Sequence, residues 1–150
     1  MTTFERSLRK YVLEALKPLD ACAVENSACP GFPDVEFMSG TMELKVLKEL
    51  PVRPTTVVKL PKFRPLQRNW LRKRWRAGGL ALFLLRVERQ HFLFDGEWAA
   101  DHLGVDAVTD DLYLNALAHW GPTSWSRKAL YYKIRGYYGF TRYVKGKSCS

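Results

Sequence analysis

The chain has 150 residues, with 24 Lys and Arg against 15 Asp and Glu, for a formal net charge of +9. At 47% hydrophobic and 13% aromatic it can bury roughly 70% of its unfolded surface, which excludes a disordered tail. No apolar run approaches the ~20 residues of a bilayer span, and the charged start MTTFERSLRKYVLEALK argues against a secretory leader, so a cytoplasmic protein is expected.

Residues 4 to 17 read as an amphipathic helix, with Phe4, Leu8, Val12 or Tyr11, and Leu16 near the helical period and Pro18 closing it. ACAVE (21 to 25) is a short strand candidate before the turn-rich NSACPG. Residues 34 to 38 and 41 to 47 form two strands around Ser39-Gly40. The three prolines in KELPVRPTTVVKLPKF predict a loop, with room for a short extended piece at Thr56 to Lys59. Pro65 suits the first position of a helix running to about Ala77, where Gly78-Gly79 stops it. LALFLLRVE (80 to 88) predicts a strand covered on both faces, with HFLFDG (91 to 96) pairing to it. Thr109 is placed to cap a helix through about His119, and Ser124 one through about Arg135. This order predicts an α/β sandwich with a mixed sheet in one domain.

The hairpin carries the first chemical signal. With Ser39-Gly40 as a two-residue turn, residue 37 faces 42, 36 faces 43 and 34 faces 45, so Asp34, Glu36, Glu43 and Lys45 share one side. Val35, Phe37, Met42 and Leu44 then share the other. A slip of one residue would exchange the two sets, so the register is firmly specified. Carboxylates held together on a rigid face call for a cation, and Mg²⁺ favours such oxygens. Lys45 beside them suits a role in offsetting charge on a phosphate or positioning a water. An exposed sheet face with cross-strand ion pairs, Asp34 to Lys45 and Glu36 to Lys48 or Lys45, explains the same residues.

Two segments hold cations and no acid. Residues 62 to 76 contain Lys62, Arg64, Arg68, Arg72, Lys73, Arg74 and Arg76. Residues 127 to 147 contain Arg127, Lys128, Lys133, Arg135, Arg142, Lys145 and Lys147. Such segments suit a polyanion, nucleic acid before an anionic membrane, or serve as a solvated face. The cysteines, Cys22, Cys29 and Cys149, are odd in number and scattered, which favours reduced thiols over a disulfide framework or zinc site. His91, His102 and His119 lack metal-ligand spacing and are expected to be structural.

GFPDVEF…MELK resembles the PD-(D/E)xK nuclease signature. The following KLPKFRPLQRNWLRKRWRAGGLALFLLRV is similar to the continuation in small VRR-NUC nucleases, many of them phage-encoded. The resemblance covers about residues 4 to 95. It implies a restriction-endonuclease-like αβββαβ core, followed from about 97 to 150 by a basic, aromatic helical extension. It makes Asp34 and Glu43 metal ligands, with the Leu44 carbonyl as a further one, Lys45 the catalytic lysine, and Gln67 its support or that of the nucleophilic water. FERSL resembles the first-helix stretch of archaeal Holliday-junction resolvases that carries a further ligand, which points to Glu5, with Glu14 and Glu25 as alternatives.

The implied activity is Mg²⁺-dependent hydrolysis of DNA phosphodiesters, with Mn²⁺ substituting, on branched DNA such as a Holliday junction. Paired incision of a junction calls for a homodimer. Lys62, Arg64, Arg68, Arg72, Lys73, Arg76, Arg127, Lys128 and Lys133 are the expected DNA contacts. The tail SWSRKALYYKIRGYYGFTRY either stacks on unpaired bases or packs Leu130, Tyr131 and Ile134 on the domain, the second being expected for most of its tyrosines. Rival readings are a non-catalytic protein that binds DNA or a host factor on a nuclease scaffold, and a sequence-specific restriction enzyme.

Overall fold

The computed structural model describes residues 1–25 and 28–137. Arg142, Lys145, Lys147 and Cys149 lie outside them, as does the end of the aromatic tail. Helix α1 (Thr3–Ala15) precedes a 3-10 turn at Lys17–Leu19, β1 (Cys22–Ala23), β2 (Val35–Phe37) and β3 (Gly40–Leu47). Then come α2 (Pro65–Arg76), β4 (Leu80–Val87), β5 (Gln90–Asp95), α3 (Gly96–His102), α4 (Thr109–Asn115), β6 (Ala118–Trp120) and α5 (Arg127–Arg135). The six strands form one sheet in the order β1-β2-β3-β4-β5-β6. Only β3 and β4 pair in parallel, because α2 returns the chain between them.

Each face of the sheet has its own core. On one, Leu8, Val12, Leu130 and Ile134 from α1 and α5 cover Met42, Leu44, Leu82 and Leu84. On the other, Leu71, Ala99 and Leu112 from α2, α3 and α4 meet Phe83, Leu85, Phe92 and Phe94. Strand β4 is therefore apolar on both sides, as its continuous run predicts. The expected packing of Leu130, Tyr131 and Ile134 on the domain is also observed.

The hairpin register differs from expectation. Val35 pairs with Met42, Glu36 with Thr41 and Phe37 with Gly40, so the turn falls on Met38 and Ser39. Gly40 belongs to the strand because a Cβ there would lie 2.1 Å from the Leu80 carbonyl oxygen. The shift is by two residues, and an even shift leaves each side chain on its expected face. The charged face is divided: Glu36 is exposed, whereas Glu43 is fully buried and Lys45 is 8% exposed.

Other elements depart from the sequence reading. Phe4 is 65% exposed and Glu5 takes the buried position on α1. The reason is a capping box in which the Glu5 N–H donates to Thr2 Oγ1 and the Thr2 N–H donates to Glu5 Oε2. Residues 56 to 59 form no strand, although the Val58 N–H donates to the Ala107 carbonyl. Helix α4 ends at Asn115 instead of His119, and Val108, not Thr109, is its cap residue. Residues 118 to 120 are instead β6, paired with β5, so the C-terminal third is not a purely helical extension. The cap of α5 is Ser126, not Ser124.

Candidate active site

Where β2 and β3 stop pairing, the sheet opens. The ladder ends at Val35 and Met42, and the Asp34 side chain continues it by accepting the Leu44 N–H at 2.9 Å on Oδ2. Beyond Met42, β3 is paired with β4 alone among the described residues. The N-terminal turns of α1 and α2 both reach this gap, and a cavity of about 320 Å³ results. Glu5, Asp34, Leu44, Lys45, Lys62, Arg64 and Gln67 all line it.

Glu43 and Lys45 are two residues apart on β3 and share a face. Lys45 Nζ lies 3.1 Å from Glu43 Oε1. Gln67 Nε2 donates to the same oxygen at 3.2 Å. The Gln67 amide is held in this orientation because its Oε1 accepts the Arg64 N–H at the start of α2, at 2.9 Å. Gln67 thus engages the carboxylate instead of the lysine. Glu43 Oε2 is buried with no hydrogen-bond partner.

Burial first, then the charge of Asp34, pushes the Glu43 carboxyl up to about 8, against the pull of Lys45. A carboxyl that must give up its proton beside Asp34, with one buried oxygen unpartnered, is what a cation relieves. Among the described residues no group of three His, Cys, Asp or Glu is gathered to hold a metal. Mg²⁺ needs only one or two carboxylates, because it keeps several waters. Asp34 and Glu43 therefore fit such an ion.

The three candidate glutamates separate cleanly. Burial alone would raise the Glu5 carboxyl, but hydrogen bonds from Thr2 and the charges of Lys45 and Lys62 outweigh it and lower its pKa. Glu5 stays beside the cavity. Glu14 instead pairs with Arg127 at 2.6 Å, and Glu25 lies near Arg9 at 3.9 Å.

The basic residues also separate. Lys62 and Arg64 border the cavity. Arg68 turns inward, its Nε donating to the Phe63 carbonyl and its Nη1 to the Ala100 carbonyl. Arg72 holds Asp101 and Arg76 holds Glu97, each at 2.7 Å, which ties α2 to α3. Lys73 and Arg74 instead flank an open cleft of about 430 Å³ with Trp70, over whose ring the Arg74 guanidinium lies at 4.6 Å. Sequence reading passed over Trp70, although its i, i+3 spacing from Gln67 marks it. On α5, Arg127 pairs with Glu14, Lys128 is exposed, and Lys133 lies over Tyr137 at 5.4 Å.

The class defined is a mixed α/β domain whose six-stranded sheet, flanked by helices, presents a buried carboxylate–lysine–amide site. No family model and no curated protein matches the chain. No helix of the described residues is long and apolar enough to cross a membrane.

Proposed function

We propose that the protein is a metal-dependent DNA endonuclease with a restriction-endonuclease-like core of the VRR-NUC type, acting on branched DNA. The observation that carries this reading is the meeting of Lys45 Nζ and Gln67 Nε2 on one oxygen of Glu43, with Asp34 beside it and the second oxygen unpartnered. The order helix, three strands, helix, strand supports the core assignment.

A bound Mg²⁺ supplies the charge that acidifies a water and offsets charge gathering on a phosphodiester. Asp34 and Glu43 would hold that ion, with the Leu44 carbonyl as a further ligand. Lys45, fixed against Glu43 instead of swinging in solvent, presents an ammonium to the phosphate oxygens and stabilises the transition state. Gln67 is a positioning residue: it locks the Glu43 carboxylate from α2. Lys62 and Arg64 at the rim attract the DNA backbone, so affinity falls steeply with salt.

Purified protein incubated with a four-way junction and Mg²⁺ or Mn²⁺ yields paired nicks, and Ca²⁺ does not replace them. Asp34→Ala and Lys45→Ala bind the junction without cutting it. Cleavage that survives in both variants overturns the reading. Calorimetry with no sign of divalent-metal binding near neutral pH favours a non-catalytic DNA-binding protein instead, and a single recurrent cut on a long duplex favours restriction.

A further inference from the structure

A second cavity of about 330 Å³ lies on the α1 side of the sheet, away from the carboxylates. Its chemistry is set by six residues: Ser7 and Tyr11 from α1, Arg86 from β4, Arg89 from the following turn, His91 from β5, and Trp125. No carboxylate is among the described residues that line it. Arg86 is anchored through its Nε, which donates to the Glu88 carbonyl at 3.0 Å, and its terminal nitrogens make no hydrogen bond among the described residues. Arg89 is exposed and makes no hydrogen bond or ion pair among the described residues.

Beside Arg86, whose cross-strand partner is His91, the lining is aromatic. His91 stacks on Trp125 at 3.7 Å with planes 4° apart, and Tyr11 stacks on Trp125 at 5.3 Å. His91 is 5% exposed, yet its Nδ1 has no hydrogen-bond partner. Two guanidiniums without acids and an aromatic wall meet in a space at the small end of ligand cavities, which run from about 300 Å³.

We infer that this cavity is a nucleotide-binding subsite. The phosphate sits on Arg86 and Arg89, whose planar forks match its oxygens. The base packs against the edges of Tyr11 and Trp125, because Trp125 already stacks on His91 and Tyr11 and the Arg127 guanidinium lies over Tyr11 at 5.1 Å. His91 borders the site with its ring, which is stacked on Trp125 and whose Nδ1 is itself buried. The occupant is either a free nucleotide or one unit of a bound strand. Glu5, at the first cavity, and Tyr11, at the second, are six residues apart on α1, about 9 Å along its axis.

The subsite does not depend on the metal centre, so it is tested in EDTA by calorimetry with adenosine 5′-monophosphate. Wild type binds it at least tenfold more tightly than adenosine or inorganic phosphate, and the double variant Arg86→Gln/Arg89→Gln loses at least tenfold. A short single-stranded oligonucleotide forms the second arm, with Arg53→Gln/Lys59→Gln in the loop before α2 as a matched loss of charge. If only the oligonucleotide responds to Arg86 and Arg89, and more than to the matched control, the subsite holds a unit of a strand; if the mononucleotide responds, a free nucleotide suffices. The inference is overturned if neither ligand responds beyond the control, or if the mononucleotide responds but inorganic phosphate binds as tightly as it does. Asp34→Asn leaves the mononucleotide affinity unchanged, which separates a failure here from a failure of the nuclease reading.

Discussion

Glu43 is where stability and function diverge. A carboxylate buried beside Asp34, with one oxygen unpartnered, opposes folding, since buried polar groups without partners cost about 1–3 kcal/mol. Glu43→Gln keeps an acceptor for Lys45 and Gln67 and turns an amide N–H toward the Asp34 charge. The variant is expected to lose cleavage while gaining about 1–2 kcal/mol, read as an unchanged or higher Tm in metal-free buffer. A residue kept only for structure would behave in the opposite way. His91 gives the residue-scale prediction for pH. Burial, and then the Arg86 charge, lowers its pKa from 6.5 to about 4. The unfolded chain takes up this proton first, so His91 contributes stability that is present above about pH 6.5 and lost as pH falls through about 4. Its full size is about 3 kcal/mol. Urea unfolding at pH 7 and pH 4 is expected to show a larger acid loss in wild type than in His91→Phe, which keeps the stack on Trp125.

At the scale of elements, α2 sorts its cations by face. Arg68, Arg72 and Arg76 recur every four residues and are spent on the α2–α3 junction, while Lys73 and Arg74 stay at an open cleft. Arg72→Gln and Arg76→Gln are expected to lower stability by about 0.5–1 kcal/mol each, since these pairs are partly exposed, and to leave the salt dependence of DNA binding unchanged. Lys73→Gln/Arg74→Gln is expected to leave the Tm in place and to reduce the salt slope by about 1–2. The charge run was legible in the sequence but its division was not, because the groups that claim three of the arginines, Asp101, Glu97 and the Ala100 carbonyl, lie on α3. The hairpin shows a similar limit. Its faces were legible because side-chain alternation survives an even shift, whereas its turn was misplaced because Gly40 is required by its approach to Leu80 on a distant strand. Of Glu5, Glu14 and Glu25, Glu5 lies at the cavity, where its capping box with Thr2 holds its side chain, a local contact that the charge pattern does not announce.

For the whole molecule, the layered α/β plan followed from the order of apolar runs, while β6 and α3 did not. Three residues, Ala118 to Trp120, carry too little periodicity to announce a strand, and only pairing with β5 makes them one. That pairing, and the burial of Leu130 and Ile134 against α1, make the C-terminal third part of the same cores instead of an appendage. A chain ending at residue 117 is expected to lose cooperative unfolding by circular dichroism, although it keeps every residue of the carboxylate site. The proposed nuclease depends most on Asp34 and Glu43 acting together on one ion across the gap between β2 and β3. Anomalous diffraction from a crystal soaked in Mn²⁺ measures this directly. It is predicted to give a peak within about 2.5 Å of carboxylate oxygens of both residues. No peak there, or a peak held by other residues alone, contradicts it.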